Sequence, residues 1–571
     1  MAALVSTGGT TSFWIRHWNK ALLALTGLLA IFCYAPALRA YFVQDDFVLL
    51  AIARQLHQPL LLFFHDHFPG SLYFRPLGLL AWWLSAAAFD NAPRGHYAMN
   101  LLLHLGTVAA LYTLLQRLRR DAPLNTVWTA AYAVHPLAIG TSLWLSDRFD
   151  LIATAFSLLA LSAAIGYVQR PAPRRLLSVL ACILLAFMAK EIAIVGAIAV
   201  CALIALPNRA WPLTARQRWP AVIAVVLLIA AWLGYRSAML VNPQNLLLNT
   251  APLITIFTKG ITLWLRIGFE FLAEDPQRSA WMTLLLAVAA LLLVVAIGST
   301  ARNEGWKPQA WGVAAALLVL VLLPGPTQAP IVSVSTTDLT IKTFWFDVIG
   351  YSRLYYLSLA GLIAGLMLLT TPASASGSGE PLSRRATIAA GAALVLMLAA
   401  WVPASHELAR GFAKRSREQI APLVAAHEAI ARLELPAHRC QIYLLDTQSI
   451  WGMDNIGDAT LKASSPTPPR LEHCLLLTER APWGNFMRAG SLAPGDYEPL
   501  RVLKYQGKPI PWLVLGDFEA AYLNLDSDID ARAIDGAFFL EYRNGAFVDV
   551  SAQVRDGTRP VQFYNARPDQ N

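Results

Sequence analysis

Long apolar runs separated by short polar stretches make up most of the first 400 residues. A bilayer-spanning helix needs about 20 mostly apolar residues, and many runs approach or reach that length. The pattern therefore predicts a membrane bundle of about eleven transmembrane helices. The predicted spans are 21–38, 96–116, 124–142, 150–168, 176–189, 192–207, 219–236, 281–299, 309–325, 353–371 and 386–403.

Basic residues cluster in every second connection between these runs. Cytoplasmic loops of membrane proteins carry an excess of Lys and Arg, so we place the N-terminus in the cytoplasm and the end of the eleventh span outside. The clusters are Arg16 and Lys20; Arg117, Arg119 and Arg120; Arg170, Arg174 and Arg175; Arg209, Arg216 and Arg218; Arg302 and Lys307; and Arg384 and Arg385.

Residues 250–272 are apolar but are interrupted by Lys259, Arg266 and Glu270. A span here would reverse the orientation of every later span and would spoil the charge alternation. We interpret this segment as an interfacial or re-entrant helix on the outer side.

The composition changes after Trp401. Residues 404–434 predict an amphipathic helix, and short apolar runs such as 441–445 predict strands. Phe538–Val550 alternates around Arg543-Asn544-Gly545, which is typical of a β-hairpin. We therefore expect an all-α transmembrane domain over 1–403 and a soluble, periplasmic α/β domain over 404–571.

Composition and charge agree with a membrane protein. Of the 571 residues, 56% are hydrophobic and 14% charged, with a mean hydropathy of +0.48, whereas soluble domains carry roughly 25% charged residues. The net charge of +9 is distributed between apolar runs and not along one surface, so we reject a nucleic-acid partner. No Cys-x-x-Cys motif supports a zinc or redox site.

Two aspartates, Asp45 and Asp46, follow directly after the first span. At the water edge of a membrane such a pair can act on a lipid-borne substrate, whereas at mid-bilayer it would be costly. The alternative is a helix cap, with Asp46 capping a helix that starts at Phe47. The same outer loop, 39–95, contains Phe47–Leu56 and Pro76–Phe89, which predict interfacial helices.

His65, Asp66 and His67 lie in this loop as well. They suggest a metal site, but two histidines at i and i+2 point apart on a helix. We therefore favour solvated loop residues.

Several polar residues lie within the predicted spans. His96, Asn100 and His104 are spaced i, i+4 and i+8, which places them on one helical face. They fit either a functional site or hydrogen bonding between helices. His135 lies near the outer end of its span, where Pro136 is expected to kink the helix.

Three cations lie at the predicted outer ends of spans, namely Arg148, Lys190 and Arg353. Snorkelling to the interface would explain any one of them. If they converge near the carboxylate pair, they form a phosphate site, because Arg and Lys stabilise phosphate oxygens. Glu191 is expected to neutralise or orient Lys190.

These residues belong to an ordered series of short motifs. The motifs are Asp45-Asp46, Phe74-Arg75-Pro76-Leu77, His96-x-x-x-Asn100-x-x-x-His104, Ala133-Val134-His135-Pro136, Trp144-Leu-Ser-Asp-Arg148, Lys190-Glu191 and Arg353-x-Tyr355.

Together the series resembles the GT-C integral-membrane glycosyltransferases. The resemblance covers about residues 20–370 and is strongest to the transmembrane-and-TPR O-mannosyltransferases and their bacterial relatives. Protein O-mannosyltransferases and the lipid A aminoarabinose transferase are more distant. No 34-residue TPR repeat follows, so their acceptor is not carried over.

The resemblance implies a GT-C-like fold and inverting transfer of a sugar from a polyprenyl-phosphate donor on the outer face of a bacterial inner membrane. Asp45 would be the general base, and Asp46 would assist it, orient a group or help to bind a divalent cation. The apolar bundle would hold the polyprenyl tail, and the acceptor would be a protein, a lipid or a glycan. The implied phosphate-binding residues are Arg75, Arg148, Lys190 and Arg353, and the supporting residues are Glu191, His96, Asn100, His135 and Tyr355.

Two other functions stay open. A lipid-linked oligosaccharide ligase or polymerase would transfer a whole glycan instead of one sugar. A transporter or flippase would be expected to carry charges at the bilayer midplane, discontinuous helices and internal repeats. The ionisable residues here lie at span ends and no repeat is visible, which favours the glycosyltransferase.

Overall fold

The computed structural model describes residues 8–43, 45–64, 73–119, 124–206, 213–239, 276–304, 311–323, 352–371, 381–435, 440–446, 474–478, 503–505, 508–510 and 537–561. Most of these residues are helical. Spatial contacts divide the chain into two compact units. The first unit comprises Met1–Ala37, Ala98–Leu233 and Asn249–Arg410, and the second comprises Leu38–Tyr97, Gly234–Leu248 and Gly411–Asn571.

Sixteen α-helices are described. They are α1 Gly8–Tyr34, α2 Asp45–Gln55, α3 Pro76–Phe89, α4 Pro93–Leu118, α5 Asn125–Ala133, α6 Ile139–Leu143, α7 Arg148–Gln169, α8 Pro173–Ala189, α9 Ala193–Ala205, α10 Ala215–Met239, α11 Pro276–Glu304, α12 Trp311–Leu322, α13 Tyr356–Thr370, α14 Pro381–Glu418, α15 Ile420–Ala431 and α16 Ser551–Arg555.

Six helical segments in the described part of the chain are long and apolar enough to cross a membrane. Each coincides with one of the predicted spans. The other predicted spans contain shorter helices, such as α9 with 13 residues and α12 with 12. The total of eleven crossings and the inside–outside orientation therefore stay predictions. The six segments are Asn19–Arg39, Pro93–Leu118, Leu145–Gln169, Ala215–Met239, Ala280–Ala301 and Arg384–Ala431.

The predicted continuous span at 124–142 is wrong. Helix α5 ends at Ala133, a short 3-10 helix follows at Pro136–Ala138, and α6 begins at Ile139. Pro136 lacks an N–H group, and a residue before proline avoids helical backbone. His135 accordingly has extended backbone (φ −66°, ψ 133°), and its Nδ1 accepts a hydrogen bond of 3.0 Å from the Leu137 N–H. The proline therefore ends the helix and does not merely kink it.

In the first unit, α7 packs against α8 and α9, α12 packs against α9 and α13, and α5 packs against α1 and α13. Glycine permits the close approach of α12 to α9, because a Cβ atom at Gly312 would lie 2.7 Å from the Leu203 carbonyl oxygen. Small residues at such contacts are typical of packed membrane helices.

The second unit contains a four-stranded sheet with strand order β2-β1-β5-β6, formed by β1 Cys440–Leu445, β2 Cys474–Thr478, β5 Ala537–Arg543 and β6 Ala546–Asp549. Strand β1 pairs in parallel with β2 and β5, whereas β5 and β6 are antiparallel. Helix α15 packs against β6. Two further strands, β3 Leu503–Tyr505 and β4 Lys508–Ile510, form an antiparallel pair.

The hairpin predicted around Arg543-Asn544-Gly545 is present. Asn544 and Gly545 have φ values of 52° and 85°, which is the backbone that a two-residue type I′ turn requires. Tyr443 of β1 stacks on Phe539 of β5 with ring centroids 5.0 Å apart. The strands and helices of this region are α/β in character, whereas its solubility and location stay predictions.

Three other expectations concern the first outer loop, the domain boundary and two short segments. Helices α2 and α3 occur where interfacial helices are expected in the first outer loop, although their position at an interface is still a prediction. Helix α14 runs without interruption across the expected domain boundary at 403 and 404, with Pro403 inside it. The segments 65–67 and 250–272 lie outside the described residues.

We predict a disulfide between Cys440 and Cys474. These residues are paired Cα partners in the parallel register of β1 and β2, and neighbouring-strand Cα atoms lie within the range that a disulfide spans. If this sheet lies in an oxidising compartment, alkylation without reduction followed by mass spectrometry should leave both residues unmodified. The three free thiols Cys33, Cys182 and Cys201 serve as the alkylation control in denaturant. Quantitative alkylation of Cys440 and Cys474 before reduction would contradict the prediction.

Candidate functional site

The polar face of α4 lies against other helices of the first unit at two of its three positions. His104 is fully buried, with Nδ1 2.7 Å from the Tyr356 hydroxyl and Nε2 2.9 Å from the Ala133 carbonyl oxygen. Asn100 accepts a hydrogen bond of 3.0 Å from Nε of Arg148. His104 therefore joins helices, whereas Asn100 contacts one of the predicted functional cations.

A break in the helix positions the acidic and basic residues at the start of α7. Trp144 has extended backbone (ψ 113°) after α6, and the short 3-10 helix Leu145–Asp147 follows. Helix α7 then begins at Arg148 and carries Asp150 in its first turn. Negative charge is favoured there by the partial positive charge of a helix N-terminus. Asp147, Arg148 and Asp150 are all buried, with exposed fractions of 2%, 0% and 2%.

Lys190 and Arg353 each form an ion pair with one of these aspartates. Lys190, which follows the last residue of α8, pairs through Nζ with Oδ2 of Asp150. Arg353, in the short 3-10 helix before α13, donates from a terminal nitrogen to Oδ1 of Asp147 at 3.2 Å. The Arg353 guanidinium also lies 4.6 Å from the centroid of the Trp144 ring.

We refer to these residues as the buried charge network, which comprises Asn100, Asp147, Arg148, Asp150, Lys190 and Arg353. It brings together three of the four predicted phosphate-binding cations. Arg148 and Lys190 are buried and do not extend into solvent, so snorkelling does not describe them. The ion pair between Lys190 and Asp150 joins the end of α8 to the beginning of α7. The ion pair between Arg353 and Asp147 joins the segment before α13 to the same place.

Sequence reasoning missed Asp147 and Asp150 as members of the site. Both lie in the segment Trp144–Asp150 that supplied Arg148 as a candidate. Cations near the ends of apolar helices could have pointed to these aspartates, because a buried charge requires a partner of opposite charge. The sequence did not indicate which carboxylate pairs with which cation.

The remaining candidates of the first unit lie near these helix ends in the chain. Glu191 directly follows Lys190 and is half-buried. Tyr355 is buried at the end of the 3-10 helix that begins with Arg353. His135 occupies the break after α5, and its backbone carbonyl accepts a hydrogen bond of 3.2 Å from the Tyr34 hydroxyl.

The two adjacent aspartates differ in their surroundings within the second unit. Helix α2 begins at Asp45 and not at Phe47, so the expected capping position of Asp46 is wrong by two residues. Asp46 is fully buried, and its Oδ2 accepts a hydrogen bond of 3.0 Å from the Val43 N–H. The Asp46 N–H donates in return to the Val43 carbonyl oxygen at 3.0 Å. Asp46 thus fixes the turn into α2, whereas Asp45 is exposed.

Arg75 and His96 also belong to the second unit. Arg75 immediately precedes α3, and its guanidinium lies 4.1 Å from the centroid of the Tyr73 ring. His96 is buried in the first turn of α4, with Nε2 2.9 Å from the Asp90 carbonyl oxygen. Asp90 also pairs with Arg54 at 2.9 Å. His96 thus contacts the connection between α3 and α4.

Within the described part of the chain, no group of three or more His, Cys, Asp or Glu side chains converges in a way that could hold a metal ion. Asp46 already accepts a backbone hydrogen bond. The described residues thus do not supply the ligand set for a divalent cation, and we derive no step that uses one.

No protein-family model matches this chain, and no curated protein matches it. Among solved structures it is similar to ArnT from Cupriavidus metallidurans bound to undecaprenyl phosphate. The identity is 12%, the match covers 85% of this chain and 89% of that one, and the TM-score is 0.43.

The chain is also similar to two structures from Archaeoglobus fulgidus. One is the oligosaccharyltransferase AglB in complex with an inhibitory peptide and a dolichol-phosphate, with 11% identity, coverage of 79% and 64%, and a TM-score of 0.43. The other is the oligosaccharyltransferase in complex with Zn and sulfate, with 10% identity, coverage of 80% and 62%, and a TM-score of 0.41. The chain thus spans less than two thirds of the length of either oligosaccharyltransferase.

These neighbours are GT-C glycosyltransferases, the class that the sequence motifs resemble. The structures named above include neither a transmembrane-and-TPR O-mannosyltransferase nor a protein O-mannosyltransferase. Identities of 10–12% and TM-scores of 0.41–0.43 establish neither a family nor a reaction, so functional reasoning depends on the residues of this chain.

We predict that the Lys190–Asp150 pair is strongly coupled in stability. Asp150→Asn or Lys190→Met leaves the partner charge buried and unpaired, which typically costs about 3–5 kcal/mol. The double variant should lose less than the sum of the single variants. Thermal unfolding of the purified protein in detergent measures this coupling.

The matched control is Arg415→Gln, which removes an exposed ion pair of 3.0 Å with Glu418 and should scarcely change the melting temperature. Additive losses in the Asp150–Lys190 double variant would contradict the coupling.

Proposed function

We propose that this protein is a glycosyltransferase that moves a sugar from a polyprenyl-phosphate-linked donor to an acceptor hydroxyl, with inversion, on the outer face of a bacterial inner membrane. The observation that carries the proposal is the buried charge network. It gathers two arginines and a lysine, with two carboxylates, at the ends of apolar helices. Charged groups among apolar helices are costly, and their retention marks functional sites.

The chemistry of the network suits a lipid-linked phosphate. Arg offers a planar fork of donors to phosphate oxygens, and Lys offers a compact positive charge. The carboxylates keep Arg353 and Lys190 oriented before the donor binds, so little reorganisation is needed as negative charge develops on the leaving phosphate. We assign phosphate recognition to Arg148, Lys190 and Arg353, with Arg75 as a fourth candidate.

We assign the role of general base to Asp45. Its side chain is exposed, whereas the carboxylate of Asp46 is engaged with the Val43 N–H. The Asp46 hydrogen bonds hold the backbone of the turn and thereby orient Asp45. In the proposed reaction the acceptor oxygen bonds to the anomeric carbon, the bond from that carbon to the phosphate oxygen breaks, and Asp45 takes the hydroxyl proton. Polyprenyl phosphate then leaves.

Such a reaction needs a base and charge stabilisation more than a proton donor, because phosphate is already a good leaving group. The apolar helices would hold the polyprenyl chain. The region after residue 403 is proposed to position the acceptor in the periplasm. Mass spectrometry of cell-envelope glycans with and without the protein tests the whole proposal. A missing sugar-sized increment is expected, whereas loss of an entire glycan would indicate an oligosaccharide ligase.

We predict different effects for the two adjacent aspartates. Asp45→Asn should lower turnover by at least about 100-fold, the usual contribution of a general base, with donor binding and melting temperature unchanged. Asp46→Asn should mainly lower the melting temperature, because it weakens the hydrogen bond to Val43. Turnover and donor affinity are measured on purified protein in nanodiscs. Near-normal turnover by the Asp45 variant would refute its assignment as the base.

We predict that Arg353→Ala weakens donor binding about tenfold or more, because the phosphate loses a charge-assisted hydrogen bond. Lys should restore part of the affinity at this position, since it restores the charge but not the planar fork. The measurement is equilibrium binding of undecaprenyl phosphate. Arg559→Ala is a control for the loss of an ion-paired arginine elsewhere, in the sheet region, where Arg559 bonds to Asp446 at 3.0 Å. Equal affinities for the wild type and Arg353→Ala would contradict the role.

A further inference from the structure

The segment between α6 and α7 contains buried polar atoms that have no hydrogen-bond partner among the described residues. They include Trp144 Nε1 and Asp147 Oδ2, and Thr141 Oγ1 and Ser142 Oγ lie a few residues earlier. A buried polar group without a partner costs about 1–3 kcal/mol. Such groups usually indicate a water, an ion or a ligand that completes their bonding.

Trp144 and Asp147 both contact Arg353. The guanidinium lies 4.6 Å from the Trp144 ring centroid and donates to Oδ1 of Asp147 at 3.2 Å. Asp147 Oδ2 is the second oxygen of that same carboxylate. An indole N–H donor and a carboxylate acceptor are thus held on two side chains that both contact the Arg353 guanidinium.

The Trp144 N–H and Asp147 Oδ2 together do not fit a phosphate group. A carboxylate repels phosphate oxygens, and a deprotonated phosphate offers no hydrogen to Asp147 Oδ2. A sugar hydroxyl fits, because it donates one hydrogen bond and accepts others. Asp147 Oδ2 can therefore accept from a sugar hydroxyl, and the Trp144 N–H can donate to one.

We propose that Trp144 and Asp147 form a sugar-recognition subsite that selects the glycosyl group of the donor. This inference rests on the proposed function and deepens it, because it separates recognition of the sugar from recognition of the phosphate. Arg353 links the two by holding Asp147 in place. Trp144 and Asp147 are thus specificity-determining residues, and the base and the phosphate-binding cations are different groups.

Binding of two kinds of lipid tests the proposal. The probes are undecaprenyl phosphate and its mannosyl, glucosyl and galactosyl derivatives, titrated against the full-length protein in nanodiscs. The wild type should bind at least one glycosyl derivative more tightly than bare undecaprenyl phosphate. Trp144→Phe, which keeps an aromatic ring beside Arg353, and Asp147→Asn, which keeps the shape, should each reduce that preference about tenfold, the usual loss for one hydrogen bond to a charged or buried group. Trp144→Phe should leave the affinity for bare undecaprenyl phosphate unchanged. Asp147→Asn should lower that affinity in part, because Asp147 also orients Arg353, and should lower the affinity for the preferred glycosyl derivative about tenfold more.

The matched control is Trp128→Phe. Trp128 is a second buried tryptophan, in α5, whose Nε1 also has no partner among the described residues. This variant should keep the preference of the wild type. The affinity for the bare lipid reports on folding and on phosphate recognition. A variant that has failed to fold loses its affinity for both kinds of lipid. The other variant then tests the subsite.

Three outcomes would overturn the subsite. Both variants could weaken the two kinds of lipid equally, which would assign the segment to the phosphate. Both could retain the wild-type preference, which would make it a water site. The wild type itself could bind bare and glycosylated lipids equally, which would show that the protein does not recognise the sugar but would leave the phosphate site intact. Failure of the wild type to bind any of these lipids would instead refute the proposed function, together with the subsite.

Discussion

The pairing of buried charges at the ends of α7, α8 and α13 is the interaction on which the functional account depends. Lys190 with Asp150, and Arg353 with Asp147, join segments that are 40 and 206 residues apart in the chain. Each cation would be expensive to bury alone, and each pair becomes acceptable only when both partners are present. The same ion pairs that hold the helix ends together thus keep Lys190 and Arg353 in place, while Arg148 is held by its hydrogen bond to Asn100.

A broken helix makes this arrangement possible. Pro136 ends α5, and the short helices that follow lead the chain to the start of α7. The irregular backbone between 134 and 147 is buried within protein, the condition under which irregular backbone is tolerated at membrane depth. This segment supplies Asp147 and Arg148 to the network and Trp144 to the proposed subsite.

The turn before α2 shows how two identical neighbours acquire different roles. Asp46 closes the turn by bonding to the Val43 N–H, and Asp45 remains exposed. The helix N-terminus favours negative charge on both residues, but Asp46 is fully buried whereas Asp45 is exposed. Adjacent aspartates thus have different surroundings: Asp46 fixes the turn from inside the first turn of α2, and Asp45 faces solvent.

The sequence by itself determined the apolar runs, the helices that they form, the Asn544-Gly545 hairpin and the placing of cations near helix ends. These features follow from short-range rules, namely hydrophobic length, charge distribution and the backbone preferences of glycine and asparagine. Only the tertiary structure decided that α5 ends at Ala133, that Asp147 and Asp150 are the partners of Arg353 and Lys190, and that Asp46 is engaged while Asp45 is exposed. Those outcomes depend on which distant segments pack together, because a buried charge takes whichever partner the packing brings within reach.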